Sequence, residues 1–124
     1  MARAWKERLR RALASTDELE ADDELVEAAL RGTTPVAECR PREQRTLSGV
    51  LRAVRYAPRE APPELAAELY DGSGSVELVW LGRRDIAGIE PGRRLLVTGR
   101  LTEGDHRLVI YNPAYTLLAP MVVA

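Results

Sequence analysis

His106 is the only histidine and Cys39 the only cysteine in this chain of 124 residues. One of each builds neither a zinc site nor a thiol–imidazole pair within the chain. Asp71 and Asp85 stand in turn-like contexts, and no two carboxylates are spaced for general acid–base work. Gly72-Ser73-Gly74 leads into an alternating apolar and polar run and opens no helix, so it is not a phosphate cradle. The expectation is a non-enzymatic protein without metal or cofactor. Two other residue types have binding chemistry. Arg52, Arg55, Arg59, Arg94, Arg100 and Arg107 carry planar donor forks that match phosphate. Tyr56, Tyr70 and Tyr111 carry flat faces on which unpaired bases stack. Taken together they predict a basic and aromatic rim; taken singly, each arginine also reads as a solvated strand residue and each tyrosine as a half-buried one.

Charge limits how strong such a rim can be. Lysine and arginine number 18 against 19 acidic residues, and the isoelectric point is near 5.9. A strong electrostatic binder of nucleic acid has a domain-wide basic excess. Any contact with phosphate therefore has to come from a local patch.

The elements that would position these residues are mostly strands. Asp71-Gly72-Ser73-Gly74 supplies the positive-φ positions of a tight hairpin turn, flanked by alternating runs on both sides. Around it the spacing predicts strands over 46–56, 64–71, 75–81, 93–102 and 106–112, with 115–118 extending the last one beyond Pro113. Gly49 marks a bend in the first strand. Residues 83–89 read as a turn or a single short helix, closed by Glu90-Pro91-Gly92. The period of two puts Leu65, Ala67, Leu69, Val76, Leu78 and Trp80 inside, and Glu68, Tyr70, Glu77, Val79 and Leu81 outside. Five strands with a helical insertion after the third is the order of the OB-fold, a five-stranded Greek-key barrel.

The first 45 residues differ in character. Trp5, Leu9, Ala12 and Leu13 share one side of a helical period, and Ser15-Thr16-Asp17-Glu18 starts a second pattern carrying Leu19, Val26, Ala29 and Leu30. The expected organisation is thus a helical extension and connector over 1–45 and a barrel over 46–120. Trp5, Leu9 and Leu13 would pack on outward apolar residues such as Val79 and Leu81, within one chain or between two copies. The Arg-rich start lacks the apolar run of a secretory signal, nowhere do about 18 apolar residues run together, and a lone cysteine suits a reducing compartment. A cytoplasmic protein without a membrane segment is expected.

Leu47-Ser48-Gly49-Val50, Tyr70-Asp71-Gly72-Ser73-Gly74, 76–81 and Gly92-Arg93-Arg94-Leu95-Leu96-Val97-Thr98-Gly99-Arg100 resemble the OB-fold nucleic-acid-binding family. That family includes anticodon-binding domains of tRNA synthetases and wedge domains of branched-DNA helicases. The run 78–92 is similar to short, stand-alone actinobacterial OB-fold proteins with a helical N-terminal extension. The resemblance covers about residues 46–118. It implies a small module that binds single-stranded or junction DNA or RNA on the outer face of strands 2 and 3 and the adjoining loops. Glu68 and Glu77 on that face repel phosphate and support the alternative, a protein-interaction module.

Overall fold

The structure is a computed structural model that describes residues 31–119. Six strands follow a single 3-10 turn at Val36–Glu38: β1 (Gln44–Tyr56), β2 (Glu64–Tyr70), β3 (Ser75–Leu81), β4 (Arg94–Thr102), β5 (Val109–Tyr111) and β6 (Ala114–Leu118). The helices expected before residue 31 lie outside the described residues, and over 32–43 the described chain carries a 3-10 turn and otherwise irregular structure. No helix among the described residues is long and apolar enough to cross a membrane.

Strand β1 makes the barrel-like ring possible because it belongs to two sides of it. Its first half pairs with β4, from Gln44↔Arg100 to Val50↔Arg94. Its second half pairs with β2, from Val50↔Tyr70 to Tyr56↔Leu65, with a register irregularity between Leu51 and Ala53. Gly49 lies at this crossing, where a Cβ would stand 2.3 Å from the Tyr70 carbonyl oxygen. Only glycine lets the two backbones come so close.

The ring runs β1-β2-β3-β5-β4 and returns to β1. Its closure is uneven, since the parallel β3–β5 contact spans only Glu77↔Val109, Leu78↔Ile110 and Val79↔Tyr111. The long fifth strand expected over 106–112 is divided in two. Asn112 takes a positive φ of 49° and Pro113 follows it, so the chain turns between β5 and β6. Strand β6 then continues the antiparallel ladder on β4, from Thr98↔Ala114 to Arg94↔Leu118. The short helix considered for 83–89 is a turn. Gly88 and Gly92 both adopt positive φ, which breaks a helix, while Ile86 and Ile89 are still buried in the core.

The interior follows the alternation read from sequence. Leu65, Ala67, Leu69, Val76, Leu78 and Trp80 all belong to the main core cluster, together with Leu47, Leu51, Leu95, Val97, Leu101 and Ile110. Trp80 is a core residue whose indole N–H donates to the Pro113 carbonyl at 3.3 Å, and its ring meets Tyr115 edge-on at 5.8 Å. One end of the ring is capped by Val36. Asp71, fully buried, holds that cap: its carboxylate accepts from the Val36 N–H at 2.8 Å. The same carboxylate accepts from Ser73 N–H, Ser73 Oγ–H and Gly74 N–H. A hairpin-turn residue thereby also ties the incoming chain to the barrel.

Candidate ligand groove

The outward faces of β2, β3 and β5 form the floor of an open groove of about 950 Å³. Ala66, Val79 and Val109 make a small buried apolar cluster at its centre. One wall is the proline-rich loop 57–63, and the other is the loop 103–107 before β5. Tyr56 and Tyr111 expose their rings along it.

The proline-rich wall is held by a residue with no strand pattern to announce it. The Arg84 guanidinium donates to the carbonyls of Pro58 (3.3 Å), Arg59 (3.2 Å) and Ala61 (3.1 Å). Gly82 N–H donates to Pro63 O at 3.0 Å and closes the same loop from the other side. A planar fork holds its donors at fixed spacing, so its two terminal nitrogens reach three carbonyls that a single ammonium nitrogen would have to meet from one point.

Glu68 and Glu77 face each other directly across the β2–β3 ladder. Two like charges in that relation repel, and each is answered by an arginine: Arg107 pairs with Glu68 and Arg55 with Glu77. Around the groove, Glu64, Glu77, Glu103 and Asp105 stand against Arg55 and Arg107. The lining is thus richer in carboxylates than in guanidiniums. His106 lies in the same loop wall.

Of the nine residues expected to form the rim, the structure brings four together here: Arg55, Tyr56, Arg107 and Tyr111. The other five are elsewhere. Arg52 and Tyr70 form a pair of their own, with the guanidinium carbon 3.4 Å from the ring centroid; the β1 irregularity at Leu51/Ala53 turns Arg52 over Tyr70, and one ring face is thereby covered. Arg59 belongs to the proline-rich loop but is not among the residues lining the groove, and its carbonyl accepts from Arg84. Arg94 and Arg100 lie on β4 and are absent from the lining; Arg94 is buried and Arg100 is exposed opposite Gln44. Their outward face belongs to the β1–β4–β6 side of the ring, which the sequence alternation gives no means of placing.

Val79 has its cover from Ala66 and Val109, whereas Leu81 is exposed. Cys39 is half-buried and its thiol donates to Pro35 O at 3.4 Å. Burial, reinforced by the nearby Glu43 and Asp71 carboxylates, pushes its pKa up, away from reactive thiolate chemistry. Among the described residues no group of three or more His, Cys, Asp or Glu is placed to hold a metal ion.

No protein-family model and no curated protein matches the chain. Among solved structures it is similar to RecG bound to a three-way DNA junction. The likeness covers 61% of this chain at 25% identity with a TM-score of 0.51, and it spans 11% of that much longer chain.

Proposed function

We propose that this chain is a non-enzymatic OB-fold module that binds single-stranded or junction nucleic acid in the groove across β2, β3 and β5. The observation that carries the reading is the structural likeness to RecG in its complex with a DNA junction. The groove supports it with exposed rings at Tyr56 and Tyr111 and guanidiniums at Arg55 and Arg107. The five-stranded ring order also fits an OB barrel, whose ligands lie on strands 2 and 3 and the adjoining loops. In this reading the protein acts in the cytoplasm and needs no cofactor.

Binding of this kind is modest and only weakly dependent on salt. If both were free for phosphate, Arg55 and Arg107 would set an upper bound of about −1.4 on the single-strand slope, or roughly seven-fold between about 50 and 200 mM salt. Fluorescence polarisation with labelled single-stranded DNA, single-stranded RNA, a three-way junction and a duplex, each at those two salt concentrations, tests it. Preference for the first three over duplex is expected. Absence of binding to all four at micromolar or higher protein concentration and low salt overturns it. The carboxylate-rich lining favours a second reading, in which the groove takes a protein partner, and that reading would then be the better account.

A further inference from the structure

We infer that Glu68 and Glu77 are specificity-determining residues of the groove: each holds one of its two arginines and withholds it from phosphate, so that base contacts govern what the groove accepts. The inference rests on the reading that the groove binds single-stranded nucleic acid. It goes further in saying how a groove with excess carboxylate does so.

The geometry is specific. Glu68 and Glu77 are directly opposed on β2 and β3, and their side chains are 22% and 24% exposed. The guanidinium partners are the outer members of the pairs, with Arg107 at 38% and Arg55 at 64%. A phosphate approaching from solvent meets a cation whose charge is already matched by a carboxylate beneath it. To gain the contact, the phosphate must displace that carboxylate or share the cation with a like charge. Glu64, Glu103 and Asp105 add repulsion from the rest of the lining. A nucleobase carries no such penalty, because it is neutral and its exocyclic amines donate to carboxylates. Tyr56 and Tyr111, 59% and 51% exposed, present ring surface for it along the same groove. A base-free polyanion is thereby rejected, whereas a strand with unpaired bases retains stacking as its source of affinity.

The test uses the full chain with Glu68→Gln, Glu77→Gln and the double substitution, which keep shape and remove charge. The probes are a labelled single-stranded oligonucleotide titrated at several salt concentrations, and heparin as a polyanion that has no bases. Each substitution should tighten oligonucleotide binding by about three- to five-fold at low salt, the worth of an exposed ion pair. Each should also steepen the salt slope by about 0.7, the share of one released arginine. Heparin, a poor competitor against the native chain, should compete well against the double variant. Adding Arg107→Ala to Glu68→Gln should abolish the gain in that variant, which a change in loop structure alone would not do. Native binding with no gain in affinity or slope in the variants overturns this inference and leaves the binding reading intact. Binding by the double variant but not by the native chain overturns both, because stacking on Tyr56 and Tyr111 would then give no affinity until the arginines are released. No binding by either overturns both.

Discussion

Replacing Arg84 with alanine should loosen the proline-rich wall of the groove while leaving the barrel folded. In the structure one guanidinium gathers the carbonyls of Pro58, Arg59 and Ala61 at 3.1–3.3 Å. These contacts are long and exposed, so each is placed at the low end of a net hydrogen bond, about 0.5–1 kcal/mol. Their joint loss amounts to about 1.5–3 kcal/mol of local stability, or roughly 10- to 150-fold in the opening equilibrium of loop 57–63. Three bonds remain after the substitution: Ala57 N–H to Glu64 O, Ala61 N–H to Pro58 O and Gly82 N–H to Pro63 O. Pro58, Pro62 and Pro63 also limit how much freedom the loop can recover. Hydrogen exchange should show faster exchange at Ala57 and Ala61, with Leu65 and Leu69 unaffected. Single-strand affinity should fall by about three- to ten-fold, the cost of ordering the wall again on binding. The salt slope should hold, because Arg84 spends its donors on carbonyls. Arg84→Lys should recover little of the loss, since an ammonium lacks the fork. Unchanged exchange in the loop would refute the bracing role. A slope lowered by about 0.7 would show that Arg84 contacts phosphate instead.

Three further outcomes follow from the same geometry. Leu78→Ala should destabilise the barrel by about 2–5 kcal/mol in chemical denaturation, the range for a fully buried leucine, whereas Val79→Ala, in the smaller outer cluster, should cost about 1–2 kcal/mol; equal losses would contradict the strand register. Asp71→Ala should cost about 2–4 kcal/mol, because it leaves the N–H groups of Val36, Ser73 and Gly74 without their acceptor, and a thermal melt within a degree of the native chain would show that the cap at Val36 does not depend on it. Tyr56→Ala and Tyr111→Ala should each weaken single-strand binding by about 1–3 kcal/mol with the salt slope nearly unchanged, as stacking releases few ions; full retention of affinity in both polarisation titrations would remove the tyrosines from the interface.

The strands were legible because their signals are local. The alternation of Val76, Leu78 and Trp80 and the turn residues Asp71 to Gly74 specify pleat and hairpin within a few positions, and β3 occupies the expected span. Gly49 was likewise readable as a bend, although what it avoids, the Tyr70 carbonyl, is visible only in the folded ring. The groove was half legible, and the division has one cause. Arg55 lies on β1 beside β2, and Arg107 and Tyr111 lie in or just before β5, so their faces follow from neighbours that the fold brings next to β2 and β3. Arg94 and Arg100 obey the same alternation, yet on β4 outward means another side of the ring. Period two says in or out; only closure says which way out faces. The pairings of Arg107 with Glu68 and of Arg84 with the loop carbonyls join residues 39 and 23–26 positions apart. Local pattern has no reach over such distances. Those long-range pairings also decide the electrostatics, since they convert what reads in sequence as free arginines and repelling glutamates into matched pairs. The chemistry of the groove is therefore a property of closure, and substitutions at Glu68, Glu77 and Arg84 probe it more directly than substitutions at the arginines that composition alone would single out.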